Sequence, residues 1–221
     1  MPFVSLNNRI RQQADCMLIL GSRVGETDWW GRPPYWAPKE KQTVIQVDID
    51  DTVLGNNRPV DLAINADLKS FLQSLNQIAE LKGKEKVRRN NWLKSLQRAR
   101  KKEQVRLNKK LKDKSSLINT AHVPRTAREI FPDNSLVVFD GGNTTVWGNF
   151  YHEVREPNSQ FSTYKFGMLG AGLGHTLGLK AANPEKEVYC IMGDGAMGFH
   201  PQEIETAVRN NLQVVFIVLC D

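Results

Sequence analysis

The segment from Val188 to Asp221 sets an apolar strand, a glycine-flanked aspartate, a helix and a second apolar strand in immediate succession. Val188 to Met192 is a short apolar run of the kind that a strand buried on both faces requires. Gly193-Asp194-Gly195 interrupts it, and glycines on either side of an aspartate permit positive φ and close approach of a ligand to the backbone. Pro201 suits a first helical turn, where its missing N–H costs nothing. From Gln202 to Asn210 the spacing is helical, with Ile204, Ala207 and Val208 on one face. Val214 to Leu219 is the second strand, and Asp221 follows it. Two neighbouring strands of a parallel sheet then each end near a carboxylate, Asp194 and Asp221, where open α/β sheets bind their ligands.

Two hard oxygen ligands suit Mg²⁺, which keeps waters and takes further ligands from phosphates. The Gly195 and Ala196 amides at a helix start are donors for an anion. A magnesium-bridged diphosphate satisfies both demands. A Gly-Asp-Gly triplet also serves simply to shape a turn, but that does not account for the second carboxylate.

This arrangement resembles the thiamine-diphosphate-binding motif, and more closely that of the acetolactate synthase-like enzymes. The resemblance implies that Asp194 and Asp221 hold Mg²⁺ and that Gly193, Asp194, Gly195 and Ala196 meet the diphosphate. Where the family ends its motif on an Asn-Asn pair, this chain has Cys220-Asp221.

The remaining chain is consistent with a globular α/β protein. No run approaches the ~20 apolar residues of a membrane span. The three cysteines, Cys16, Cys190 and Cys220, lie in apolar runs, which points to reduced thiols in a cytoplasmic protein and away from a disulfide framework. Net charge is +6, but 15 Lys and Arg against three Asp and Glu lie between Lys82 and Lys114. That segment carries a local +12 and leaves the rest at −6. Trp92, Leu93, Leu96, Leu107 and Leu111 make a narrow apolar stripe along it. It reads as a solvated connecting helix. The other use of such charge is attraction of a polyanion, although Trp92 alone could stack on a base.

Ahead of that segment, Asp15 to Leu20 is a strand leading into Gly21-Ser22-Arg23-Val24-Gly25, and Thr43 to Asp48 is another. The distance between glycine loop and acidic strand end is near that of nucleotide-binding units, but the full glycine fingerprint is absent. Between them lies the aromatic stretch from Trp29 to Trp36, suited to covering a ligand or packing on a neighbouring domain. Asp67 opens a helix to about Leu81, with Leu68, Phe71, Leu72, Leu75 and Ile78 on one face. The series Ala14-Asp15, Leu20-Gly21-Ser22-Arg23, Val47-Asp48-Ile49-Asp50, Asn57-Arg58-Pro59-Val60-Asp61 and Ala66-Asp67 resembles the later half of the same family's central domain. Some relatives bind FAD or an adenine nucleotide there, and no residue is assigned to either.

After the basic segment, Pro124 to Phe131 reads as a short helix and Ser135 to Asp140 as a strand. Gly141 to Trp147 follows. Small and hydroxyl side chains at a strand end suit phosphate oxygens, and equally suit a Gly-Asn turn with Thr144 or Thr145 as a cap. The resemblance points to Asn143 and Thr144 as diphosphate contacts. From Phe166 to Gly178, glycines recur too often for a helix resting on propensity. They serve close approach, to a ligand or between helices. By the same resemblance, Leu169 is the apolar wedge between the cofactor's two rings, a preorganisation that the reaction needs. His122, His152, His175 and His200 show no metal-ligand spacing and are expected to cap or pack.

The expected fold is α/β. Two doubly wound parallel-sheet, Rossmann-like domains, both incomplete, are joined by a basic helical linker, with boundaries at 1–81, 82–120 and 121–221. The resemblance implies thiamine-diphosphate- and Mg²⁺-dependent decarboxylation or carboligation of a 2-oxo acid or related carbonyl substrate. It also implies a homo-oligomer, at least a dimer, in the full-length protein. The family's catalytic glutamate lies in a domain ahead of the stretch matched here, so no catalytic residue is assigned, and Glu203 does not replace it. The chain is expected to be the middle of a longer subunit, inactive alone. Two other classes fit parts of the sequence: a nucleotide-dependent oxidoreductase, from the repeated strand–glycine turns, and a polyanion-binding module, from the basic segment.

Overall fold

A computed structural model describes residues 3–82, 90–112, 118–163 and 166–220. They fall into two compact units, Phe3–Glu103 and Gln104–Asp221. Both are α/β with wholly parallel sheets, as the apolar runs require.

The first unit opens with α1 (Val4–Gln13), which buries Leu6. Strands β1 (Cys16–Leu20), β2 (Thr43–Asp48) and β3 (Leu62–Asn65) lie side by side in that order. Ile19, Val24, Trp36 and Val44 form the core, with Met17, Tyr35 and Val60 packed against them. The aromatic stretch folds back onto its own unit. Trp36 is buried and its indole N–H donates to the Asp28 carbonyl at 2.7 Å, while Trp29 stacks on Tyr35 with ring centroids 3.9 Å apart.

Beneath it sits Arg58, only 4% exposed. Its guanidinium donates to the Gly31 carbonyl, to the Ala37 carbonyl at 3.0 Å and to Gln42 Oε1 at 3.0 Å, and lies 5.2 Å from the centre of the Trp36 ring. Burial lowers its proton affinity, opposed by the charges of Asp61 and Glu40. The Asp48 carboxylate, at the end of β2, accepts the Asp50 N–H at 3.0 Å and shapes the turn.

Helix α2 (Leu68–Lys82) starts where Asp67 accepts the Ser70 N–H at 2.9 Å, a side-chain cap on an otherwise orphaned donor. Leu72, Leu75 and Ile78 of its apolar stripe remain exposed. The boundary between the units falls within α3 (Asn90–Lys110). This basic helix is not solvated all round. Trp92, Ser95, Leu96, Ala99, Glu103, Leu107 and Leu111 are half-buried at three- and four-residue spacing, while Leu93, expected in the stripe, is exposed.

In the second unit, α4 (His122–Ile130) precedes β4 (Leu136–Asp140). Then come α5 (Gly142–Tyr151), β5 (Gln160–Phe161), α6 (Ala171–Ala182), β6 (Val188–Gly193), the single turn α7 (Asp194–Met197), α8 (Glu203–Arg209) and β7 (Val215–Leu219). The sheet order is β5-β4-β6-β7. β4 and β6 are central, and their apolar residues are buried on both faces. Val137, Phe139, Tyr189 and Ile191 pack with Ala127 of α4. Val138, Cys190 and Met192 pack with Leu173 of α6 and Ala196 of α7. Helices therefore cover both faces, as a doubly wound unit demands. On α5, Gly148 is obligatory, because a Cβ there would lie 2.5 Å from the buried Phe139 ring. Of the α8 face predicted to be apolar and covered, Ala207 is buried, but Ile204 and Val208 are exposed.

His152 follows α5, buried against Phe139, with Nε2 hydrogen-bonded to the Tyr189 hydroxyl at 2.8 Å. Burial, helped by the Arg128 charge, lowers its pKa to about 4. The folded state thus holds a neutral ring, whereas the unfolded chain protonates near 6.5. Between pH 6.5 and 4 the unfolded chain binds more protons, so stability is full above about 6.5 and falls as pH drops through that window. The expected loss is about 3 kcal/mol. Urea unfolding at pH 7.5, 5.5 and 4 measures it, and His152→Gln should flatten that part of the pH slope. An unchanged slope would mean that His152 binds its proton equally well in the folded and unfolded chain.

Candidate functional site

The carboxyl ends of β4, β6 and β7 stop level with one another, with Asp140 opposite Met192 and Gly193 opposite Leu219. A cavity of about 1010 Å³ lies there. Gly141 to Thr144, Gly193 to Ala196 and Leu169 all line it. The structure thus brings together Asn143, Thr144, Leu169, Gly193, Asp194, Gly195 and Ala196. Asp221, the second carboxylate expected for magnesium, lies outside the described residues, and its chain neighbour Cys220 lines the same cavity.

The local geometry has clear causes. Gly141 turns the chain at φ +94, and a Cβ there would come within 3.3 Å of the Gly193 N. Only glycine lets two strand ends meet so closely in that conformation. The next residue already begins α5, so Gly142 to Trp147 is helix and not a loop. Neither Thr144 nor Thr145 caps it. Gly141 occupies the cap position without a side chain, and its carbonyl accepts the Thr145 N–H at 3.0 Å. Gly142, Asn143 and Thr144 at that helix start line the cavity, and the start of a helix has the polarity that favours an anion.

Asp140 is the brace of the site. Its side chain is buried, with Oδ1 accepting the Gly141 N–H and Oδ2 the Gly172 N–H, each at 2.6 Å. The second bond ties the first turn of α6 to the end of β4. A Cβ at Gly172 would lie 2.6 Å from Asp140 Cβ. Gly170, at φ +87, admits the Phe199 side chain, whose Cβ would lie 2.5 Å from an added methyl. These two glycines hold the turn that carries Leu169, which is 37% exposed at the cavity. Two of the glycines in the same stretch, Gly174 and Gly178, have open space around them, and nothing in this unit explains them.

Asp194 starts α7 with its carboxylate exposed. Oδ1 accepts the Gly195 N–H at 2.7 Å. In this arrangement the Gly195 N–H is thus engaged by its neighbour's carboxylate. Among the described residues no three acidic, histidine or cysteine side chains cluster as a complete metal cage. One exposed carboxylate beside helix-start amides suits a hard cation that takes its other ligands from water and phosphate. The cavity's size and donors therefore fit a magnesium diphosphate.

Trp147 was not foreseen as a lining residue. It lies one helical turn after Asn143, and reading α5 from Gly142 would have put both on one face. The buried Asp140–Gly172 brace had no signal in the sequence, since the two positions are distant along the chain and meet only in the folded sheet.

A doubly wound parallel unit with glycine turns and an exposed carboxylate around a cavity at its strand ends is, by fold and site, a cofactor-binding domain of the open α/β class. Comparison with known proteins makes the class specific. Residues 140–221 match the thiamine pyrophosphate enzyme C-terminal TPP binding domain, and residues 4–75 match the thiamine pyrophosphate enzyme central domain. The chain belongs to the thiamine pyrophosphate enzymes.

It is similar to 2-hydroxyacyl-CoA lyase of Saccharomyces cerevisiae, at 32% identity over 93% of this chain and 37% of the relative. Mouse 2-hydroxyacyl-CoA lyase 2 is 32% identical over 81% of this chain and 28% of the relative. The Escherichia coli acetolactate synthase isozyme 1 large subunit is 28% identical over 98% of this chain and 36% of the relative. The chain thus spans between about a quarter and two fifths of the length of these curated relatives. No helix among the described residues is long and apolar enough to cross a membrane.

Proposed function

We propose that this chain forms the diphosphate-holding part of a thiamine-diphosphate- and Mg²⁺-dependent enzyme. The enzyme makes or breaks a carbon–carbon bond beside a carbonyl, in a 2-oxo acid or a 2-hydroxyacyl substrate. It is a lyase or transferase by class. The observation that carries the reading is the convergence of Asn143, Thr144, Leu169 and the 193–196 turn on one cavity.

Bound thiamine diphosphate would supply the electron sink for that bond. The chain's own residues bind and orient. Asn143, Thr144 and the backbone of the α5 start and the 193–196 turn would hold the diphosphate. Asp194 and Asp221 hold Mg²⁺. Leu169 would be the apolar support against the cofactor's rings, and the Asp140 brace keeps Leu169 at its station. No glutamate lines the cavity among the described residues, and no catalytic role is assigned to a residue of this chain. The working enzyme is at least a dimer and cytoplasmic, in keeping with three free cysteines.

Calorimetric titration of thiamine diphosphate into the longest available chain, with and without Mg²⁺, tests the reading. Saturable binding at one site per chain, dependent on Mg²⁺, is expected. A folded, full-length protein that binds no thiamine diphosphate at millimolar ligand would overturn it.

A further inference from the structure

A second cavity, of about 320 Å³, lies in the second unit between the end of α3 and one face of α5. Its walls are Leu107, Val146, Trp147, Phe150 and Tyr151, and Arg106 and Lys110 stand at its edge. The spacing explains the convergence. Val146, Trp147, Phe150 and Tyr151 fall on one face of α5, and Arg106 and Lys110 are one turn apart on α3. The Tyr151 hydroxyl donates to the Leu107 carbonyl at 3.0 Å, which pins the two helices together and uses up the polar end of that ring. Trp147 and Tyr151 stack, with centroids 5.7 Å apart at 25°.

The chemistry of the walls is lopsided. They offer hydrocarbon and ring faces, with few polar groups that could read a sugar or a nucleobase. The edge offers two exposed cations, and no described acid forms an ion pair with either. Pockets that bind small molecules combine an apolar lining with a few placed polar groups. This one is roughly twice the size of a cavity that accepts benzene. Its volume and the two cations at its edge suit a free small molecule better than a two-chain lipid.

We propose that this pocket binds a small anion with an apolar body: a short alkyl or aryl chain ending in one carboxylate, sulfonate or phosphate. The chain lies against Trp147, Phe150 and Tyr151, and the anionic end meets Arg106 and Lys110. The site is separate from the larger cavity, although Trp147 borders both, and it does not depend on what the larger cavity holds.

The test titrates the full chain with octanoate and, separately, with octylammonium, which has the same chain and the opposite charge. Octanoate is expected to bind at about 1 mM or tighter, and octylammonium at least tenfold more weakly. The double variant Arg106→Gln, Lys110→Gln touches only exposed side chains, so its melting temperature should hold. It should lose the preference for octanoate. Phe150→Ala should weaken octanoate by about tenfold. Equal binding of the two probes, octanoate binding that survives the double variant, or no saturable octanoate binding at millimolar concentration would each overturn the assignment.

Discussion

Asp194→Asn is expected to reduce magnesium-dependent binding of thiamine diphosphate by at least about 100-fold, the upper range seen when even outer-shell partners of a metal are lost. The substitution keeps the shape of the side chain. The Asn carbonyl can still accept the Gly195 N–H that Asp194 Oδ1 accepts at 2.7 Å, so the turn should survive. What disappears is the negative charge, and Mg²⁺ binds hard anionic oxygen far better than an amide. The loss of a charge at the start of α7 costs the fold less than about 1 kcal/mol, so the melting temperature should barely move. Calorimetry with and without Mg²⁺, beside a thermal melt, separates the two effects. Magnesium-dependent affinity within threefold of the parent would remove Asp194 from the metal site.

Arg58→Met is expected to cost the first unit about 3 kcal/mol of stability or more. Methionine keeps a flexible stem against Trp36 but supplies no donor. The Gly31 and Ala37 carbonyls and Gln42 Oε1 would then lose the guanidinium that joins them. Buried acceptors left without partners cost about 1–3 kcal/mol each. Relief of the cost of burying the guanidinium offsets part of that. Arg58→Lys should recover little, because one ammonium on a flexible stem cannot reproduce a planar fork spread over three acceptors. Urea unfolding followed by tryptophan emission measures this directly, since Trp36 lies under the guanidinium. A loss below about 1 kcal/mol for Arg58→Met would show that the acceptors find other donors.

The two predictions draw on different kinds of legibility. Asp194 stands out in the sequence because glycines flank it and an apolar strand precedes it. Arg58 does not. Its neighbours Asn57 and Pro59 mark a loop, and nothing local says that the cation turns inward to tie an aromatic stretch to the core. The periodic helices divide in the same way. The stripe of α2 follows from spacing, and Asp67 does cap the helix. Yet three of its apolar residues lie exposed, because spacing reports which residues share a face and not what covers that face. Along α3 the same limit applies to Leu93, which falls just off the half-buried line.

The sequence by itself determined the parallel α/β architecture, since apolar runs such as 136–139 and 188–192 can only be buried on both faces. It also determined the turns at strand ends, because Gly141 and the glycines flanking Asp194 admit conformations and approaches that other residues forbid. The family followed from the order of those motifs. Tertiary structure alone decided which distant groups meet. It set the Asp140 carboxylate on the Gly172 amide, let Gly195 satisfy Asp194, placed Trp147 between two cavities and buried Arg58 and His152. Such contacts depend on sheet register and helix packing, which sum many weak interactions over the whole unit and leave no signature at any single position.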